Sequence, residues 1–386
     1  MVERSLKNIA KKITDNKKVV IVGCGYAGKE LYKYLKLMGK NISCFFDNNQ
    51  GLKEKTYDGK EIFKPYKLEE DSLYIITIAD SLIRKEILKQ LLGLGISESQ
   101  IEIYYMSRDN DFWSQLDSKY YGEELKQVYL EGFGWDLDIE NPKTYNEKVC
   151  VDKVYDINQK KIQLTDKYLV KDWVKEKIGK KYVTKLYGVW DNAEEIDFEV
   201  LPNSFVLKTN HASGCNIVVK DKNTIDREKI CKQLNDWLKI KYGFNFLELH
   251  YNYIEPKIIC EEYLEGVADN IYDYNIYCFQ GEPKYIWCIK GSHKPECKAS
   301  FYDTEWNKLP FSYGYPEDEE LAPKPKQLAE MLELSKILCE GFKHVRVDWY
   351  NMPDGRVLFG EMTFTTWGGT MKFVPDEYDK IWGDLI

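Results

Sequence analysis

Two fold classes in series are predicted for this chain: an α/β unit with a doubly wound parallel sheet, then a larger α+β half. Three observations predict them. A β-branched run, VVIV at 19–22, meets a glycine turn and an amphipathic helical pattern, which is how a parallel βαβ unit begins. Strand-like and helical runs then alternate until about residue 106. Beyond residue 200 most strand-like runs follow one another directly and end in a hairpin, the pattern of antiparallel sheet beside helices.

In chain order, VVIV leads into Gly23-Cys24-Gly25-Tyr26-Ala27-Gly28, and the helix KELYKYLKLMG stops at Gly39 after a lysine-rich last turn. The strand ISCFF (42–46) runs into Asp47-Asn48-Asn49, and LYIITIA (73–79) precedes the amphipathic IRKEILKQLLGLGI. Residues 107–150 are charged and aromatic with weak periodicity and read as a helical connector. A helix at 166–180 leads to the strand–loop–strand FVLKTNHASGCNIVVK (205–220) and the amphipathic helix 226–240. The strands PKIICEEYL, YDYNIYCF, PKYIWCIKG and ASFYD fill 256–303. The Pro-rich stretch 310–325 reads as a surface loop. A helix at 326–342 precedes the hairpin HVRVDWY, Pro353-Asp354-Gly355, RVLFGEMTF. The domains expected are 1–106, the connector 107–150, and 151–386.

Composition removes several function classes. At roughly 150 residues per domain, 386 residues make two or three domains, and 31% charged with 44% apolar residues is an ordinary globular balance. Lys+Arg 55 against Asp+Glu 63 leaves −8, which argues against a nucleic-acid partner. No apolar run approaches a membrane span, and MVERSLKNIAKK lacks a signal peptide's apolar core, so a cytoplasmic protein without a transmembrane segment is expected. The ten cysteines form no CxxC pair, and several sit in apolar strand-like runs; free thiols explain them better than disulfides or zinc.

Gly23, Gly25 and Gly28 fit GxGxxG between a strand and a helix, a turn that lets backbone approach a pyrophosphate. Asp47, at the end of the second strand, stands where an acid bonds a ribose hydroxyl. The unit stops after about three strands, where a dehydrogenase would continue. A packing module with tight turns and no ligand is the competing reading. The stretch 17–106, through IVGCGYAGKELYKYL, CFFDNN, DGKEIF and IITIADSLIRKEI, resembles the N-terminal Rossmann-like domain of bacterial sugar acetyltransferases that bind UDP-sugars. The resemblance implies binding of a UDP-linked sugar rather than redox chemistry.

The second half carries phosphate and metal chemistry. Lys208 ends an apolar strand, where an ammonium can meet a phosphate. The small polar loop His211-Ala212-Ser213-Gly214-Cys215-Asn216 can fold its N–H groups over phosphates. Arg346, Asp348 and Tyr350 share one strand face, as Glu361 and Thr363 do on the next strand. A carboxylate from each strand beside an arginine makes a cage for Mg2+ bridging the phosphates of ATP. Each piece alone is ordinarily a solvated surface group. Lysine, glycine loop, EEYL edge, Arg-x-Asp and Glu-x-Thr in that order have the layout of an ATP-grasp ligase.

The chain from about 142 to 386 resembles the TupA-like ATP-grasp family of teichuronopeptide biosynthesis. NPKTYNEKVCVDK, LTDKYLVKDWVKEKIG, GVWDNAEEIDFEVLPNSFVLKTNHASGCNIVVKDK, PKIICEEYLE, DYNIYCFQGEPKYI, FYDTEWNKLPF, VRVDWYN and FGEMTFT carry the resemblance. It implies that Lys208 contacts the α/β-phosphates and that Ser213, Gly214 and Asn216 close over the β/γ-phosphates. It implies an adenine-side edge at Glu262, Tyr263 and Leu264, with Glu261 or Glu265 at the ribose. Arg346 would stabilise the transferring phosphoryl group, and Asp348, Glu361 and Thr363 would hold Mg2+. Thr363 stands where the fold commonly has Asn, and Ala212 and Cys215 where the family commonly has Gly.

The chemistry so implied joins a carboxylate to an amine through an acylphosphate. The acid would be a uronic acid and the partner an amino compound, in capsular or other surface polysaccharide biosynthesis. A sugar or amino-acid kinase and a non-catalytic nucleotide-sugar binder are the alternatives. No nucleophile elbow or Cys/His dyad competes with this account. His211 is placed to meet substrate, whereas His250, His293 and His344 read as structural or surface residues. The segment from Phe373 to Tyr378 either closes the site or caps the fold.

Overall fold

The computed structural model describes residues 6–14, 17–52, 55–67, 72–78, 81–104, 113–114, 116–264, 272–291 and 297–386. Glu265, His293, Ala79 and residues 107–112 of the expected connector lie outside them. The chain divides into two compact units, Met1–Tyr120 and Tyr121–Ile386, so the division falls inside the stretch read as a connector.

Unit one holds the helices α1 (Leu6–Lys12), α2 (Tyr26–Leu37) and α3 (Ser81–Gly93). Its strands are β1 (Val19–Val22), β2 (Cys44–Phe46), β3 (Thr56–Tyr57), β4 (Lys60–Phe63), β5 (Leu73–Ile76) and β6 (Ile101–Ile103), in the sheet order β3-β4-β2-β1-β5-β6. All pairings are parallel except β3 with β4. Central β1 and β5 are buried along their whole length, which is why both are uniformly apolar instead of alternating. The turn after β1 needs its glycines for two different reasons. Gly23 adopts φ +105°, and a Cβ on Gly28 would lie 1.8 Å from the Gly23 carbonyl oxygen.

Unit two opens with α4 (Tyr121–Phe133), α5 (Tyr145–Tyr155), α6 (Gln159–Thr165) and α7 (Leu169–Ile178). Thr144 and Glu147 form a reciprocal capping box at the start of α5. A four-stranded sheet follows, ordered β7-β10-β8-β9, from β7 (Leu186–Trp190), β8 (Phe205–Thr209), β9 (Asn216–Val219) and β10 (Ile258–Glu262). Helix α8 (Arg227–Leu238) packs Ile230 and Leu234 into the core with Phe205 and Leu207. A five-stranded antiparallel sheet, ordered β13-β12-β11-β15-β16, makes the rest of the scaffold. It comprises β11 (Tyr272–Phe279), β12 (Glu282–Lys290), β13 (Lys298–Asp303), β15 (His344–Asn351) and β16 (Val357–Thr363). Helix α9 (Leu328–Leu338) packs against it, and its other side meets an aromatic core around the fully buried Trp382 of α10 (Glu377–Gly383).

That aromatic core corrects the reading of 310–325 as a surface loop. Phe311 and Tyr313 are buried, and Ser312–Tyr313 forms strand β14, paired with β17 (Phe373–Val374). Proline marks where helix stops but says nothing about burial; here alternate aromatics dictate it. Phe373 packs on Tyr313 and beside Trp382, so the C-terminal segment caps the fold. His344 is structural as expected, bonding the Tyr145 hydroxyl and the Cys278 carbonyl at 3.1 and 3.2 Å. The ten cysteines are free, nine of them buried.

Gly28→Ala is expected to destabilise unit one by about 1–3 kcal/mol or more through backbone overlap. Denaturant unfolding should show an earlier transition for that unit while that of unit two stays in place.

Candidate active site

The period-two geometry of β8 and β10 builds the first cluster. Phe205, Leu207 and Thr209 face the core, which turns Lys208 to the other face of the sheet. Glu261, one diagonal step away on β10, shares that face. Its carboxylate meets Lys208 Nζ at 2.5 Å and Lys171 Nζ, from α7, at 2.7 Å. Lys171 also donates to the Thr184 hydroxyl at 2.6 Å. Burial alone would raise the Glu261 carboxyl, but Lys208 and Lys171 outweigh it and hold it below the usual range. Glu261 is thus enclosed between two lysines, and Glu265, the other residue expected at the ribose, lies outside the described residues.

A third lysine joins from the turn before α7. Asp166 accepts from the backbone of Tyr168 and Leu169 and from the Asn210 amide, fixing this turn against the end of β8. Lys167 then reaches the Ala212 carbonyl at 2.9 Å. Burial lowers its pKa, and the charge of Glu361 is the strongest opposing influence. The loop between β8 and β9 has a divided character. Ala212 and Cys215 are buried, whereas Ser213, Gly214 and Asn216 are exposed. The Thr209 N–H donates to the Cys215 carbonyl at 3.1 Å and closes the base of the loop. Gly214 has φ +74°, a left-handed conformation suited to glycine. Ala212 and Cys215 therefore form the foot of the loop, and the free positions keep their small polar residues. Burial pushes the Cys215 thiol up, which removes it as a nucleophile.

The hairpin supplies the opposite charge. Arg346 and Asp348 project from one face of β15 toward Glu361 and Thr363 on β16. Arg346 Nε lies 2.7 Å from Asp348 Oδ1, and its Nη2 lies 2.5 Å from Asp348 Oδ2 and 3.2 Å from Glu361 Oε1. The Thr363 hydroxyl donates to Glu361 Oε1 at 2.9 Å. Burial pushes the Asp348 carboxyl up to about 7 against the pull of Arg346. For Glu361 burial is outweighed by Lys167, Arg346, Thr363 and Lys208, and its carboxyl is held down. The charges of Lys167 and Lys208 thus act on the Glu361 carboxylate, which relates the first cluster to the second within unit two.

Metal fit follows from the donors. Two carboxylates and a hydroxyl converge where one guanidinium nitrogen now bridges the carboxylates, an all-oxygen set suited to a hard cation. No group of three or more His, Cys, Asp or Glu side chains suited to a metal occurs among the described residues. Mg2+ does not require one, because it takes one or two carboxylates and completes its shell with phosphate and water.

The remaining expected residues separate. Glu262 pairs with Arg356 at 3.0 Å, Tyr263 is half-buried, and Leu264 packs with Met352 and Leu358. In unit one, Gly23 and Asp47 line a cavity of about 660 Å³ with Phe46, Lys64, Ile78 and Gln90. Gly25 and Gly28 are not part of its lining. Asp47 accepts from the Cys24 and Asn49 N–H groups at 2.7 and 2.8 Å, so its carboxylate braces the glycine turn.

Sequence reasoning missed Lys167, Lys171, Tyr242, Glu248 and Tyr251. Lys171 left one signal, a lysine inside the buried stripe Val170, Trp173, Val174. Lys167 sits in a turn, Tyr242 and Tyr251 in 3-10 segments and Glu248 just before one, all without periodicity. Tyr242 and Tyr251 meet edge to face at 4.9 Å, and the charges of Glu248 and Glu361 reach both hydroxyls. His211 is buried, with Nε2 3.1 Å from the Ile240 carbonyl, a backbone partner where a substrate contact was expected.

Residues 147–386 match the family model described as TupA-like ATPgrasp, and residues 15–102 match one described as C2185-like, N-terminal. No curated protein matches the chain. Among solved structures it is similar to D-alanine–D-alanine ligase from Bacillus anthracis complexed with ATP, at 14% identity and TM-score 0.34 over 90% of this chain and 86% of that one. It is also similar to an L-amino acid ligase from Bacillus licheniformis, at 12% identity and TM-score 0.32 over 92% of this chain and 70% of that one.

Glu261→Gln keeps the shape but leaves two lysines without their counter-charge. It should destabilise unit two by about 3–5 kcal/mol. Adding Lys171→Met should recover part of the loss, and a double-mutant cycle from denaturant unfolding measures the coupling.

Proposed function

The chain belongs to the TupA-like ATP-grasp family, and on that premise we propose that it is an ATP-dependent carboxylate–amine ligase. The observation that carries this reading is the joining of Lys167 and Lys208 to Glu361 in one electrostatic cluster below an open loop. A polyphosphate needs cations along its length and a metal at its reactive end, and this cluster offers both in sequence.

Lys208, held in place by Glu261, and Lys167, held by the loop carbonyl, receive the phosphates. Exposed Ser213, Gly214 and Asn216 cover them. The strand end at Glu262, Tyr263 and Leu264 serves the adenine. Asp348, Glu361 and Thr363 would hold Mg2+, which would supply charge neutralisation at the reacting phosphate. Arg346, whose fork spans Asp348 and Glu361, would stabilise the transferring phosphoryl group. A substrate carboxylate oxygen attacks the γ-phosphorus and ADP departs, giving an acylphosphate. An amine nitrogen then attacks the acyl carbon, loses a proton and expels phosphate, leaving an amide. The protein supplies orientation and fixed charge and needs no covalent nucleophile.

The acid is a uronic acid of a capsular or other surface polysaccharide and the partner is an amino compound. The family resemblance supports this setting, and the cavity of unit one accords with a UDP-linked sugar acid as the form presented. A cytosolic site of action accords with ten free thiols. No helix among the described residues is long and apolar enough to cross a membrane.

Two measurements test the reading. In calorimetry with Mg2+, wild type should bind ATP, and Glu361→Ala should weaken binding at least about tenfold, near 1.4 kcal/mol. ADP release should require both a uronic acid and an amine; release with the acid alone and a stable phosphorylated product would indicate a kinase. The second is pH dependence. With the Asp348 carboxyl raised to about 7 by burial, a proton excludes the metal below that pH and leaves above it. Mg2+-dependent ATP binding should therefore tighten from about pH 6 to about pH 8.

A further inference from the structure

Glu248 belongs to neither the phosphate cluster nor the metal cage. It precedes the short 3-10 segment Leu249–Tyr253 and is 8% exposed. Its Oε1 accepts a hydrogen bond from the Thr365 hydroxyl, two residues beyond Thr363. No hydrogen bond or ion pair within the described residues reaches its Oε2. Two buried lysines act on its charge but are committed elsewhere. Lys153 donates to the Gly368 carbonyl at 2.8 Å, and Lys161 to the carbonyls of Asp152 and Asp156 at 3.3 and 3.1 Å. With the residue nine-tenths buried, that oxygen is left for a ligand or water to complete.

What surrounds Glu248 points into the site. The Glu361 charge reaches it, and the hydroxyls of Tyr242 and Tyr251 lie within the influence of both carboxylates. Tyr242 also stands beside Ser213 of the loop. The Tyr251 N–H donates to the Glu248 carbonyl at 3.1 Å and its ring meets that of Tyr242, while Thr365 ties the Glu248 carboxylate to the chain just beyond the hairpin. One carboxylate oxygen and two phenol oxygens suit a group with three N–H donors and a single positive charge, and aromatic faces favour a cation. They suit Mg2+ less, since it demands an octahedron of oxygens. We propose that Glu248, anchored by Thr365 and flanked by Tyr242 and Tyr251, binds the ammonium group of the amine substrate. The proposal rests on the ligase reading, in which the amine must be held beside the acylphosphate before it loses its proton and attacks.

The test is titration calorimetry on the full chain loaded with Mg2+ and a non-hydrolysable ATP analogue. Ethanolamine, glycinamide and lysine serve as cationic probes and ethylene glycol as the uncharged control. Saturable binding of at least one cationic probe is expected, weakened about tenfold or more by Glu248→Gln, with none for ethylene glycol. Thr365→Val keeps the charge and loses the anchor, and should weaken the probe by a smaller factor, about threefold to fivefold. Both variants should bind the nucleotide as wild type does, which also reports their folding. Equal probe binding by wild type and Glu248→Gln overturns the proposal, as does failure of every cationic probe to bind nucleotide-loaded wild type. If Glu248→Gln does not fold, unchanged probe affinity in Thr365→Val overturns it instead. Failure of wild type to bind the nucleotide overturns the ligase reading itself, so the two failures are distinct.

Discussion

The grip of Glu261 on Lys171 and Lys208 is the interaction on which the site of unit two depends. Glu261 and Lys171 are almost fully withdrawn from water and Lys208 in part, a loss recovered only if each keeps its partner. The sheet makes this possible by placing Glu261 a diagonal step from Lys208, while α7 brings Lys171 from the side. With Glu261 neutralising much of their charge, two lysines and nearby Lys167 can share one face without driving each other apart. The gathered lysines are thus tolerated in the folded chain.

The hairpin solves the reverse problem. Asp348 and Glu361 are carboxylates brought close together, and Arg346 bridges them. A guanidinium that neutralises both lets two like charges stand close together in the fold. In the proposed ligase reaction the same residue would also serve the transferring phosphoryl group. Lys167 connects the halves, since it is anchored to the loop and its charge acts on Glu361. A change at either cluster is therefore felt at the other.

Much of this was legible in the sequence because it is local. Alternation in FVLKT turned Lys208 away from the core, and alternation in VRVDWY and FGEMT set Arg346 with Asp348 and Glu361 with Thr363. The glycine turn was legible for the same reason, although its parts serve different ends in the fold. Gly23 lines a cavity, whereas Gly28 admits a carbonyl and Asp47 braces the turn. The stretch 310–325 was misread because proline content reports backbone propensity, not the aromatic partners that bury Phe311 and Tyr313.

By itself, the sequence determined the order of elements, the two fold classes and the chemical types gathered on each strand. Periodicities of two and 3.6 residues are written along the chain and need no knowledge of distant contacts. Only the tertiary structure decided that Glu261 faces two lysines, and that Lys167, Tyr242, Tyr251 and Glu248 come within reach of the Glu361 charge. Those side chains come from turns and short 3-10 segments with no period to read. Their partners are chosen by packing between segments far apart in sequence, where burial and charge, not local propensity, fix which groups meet.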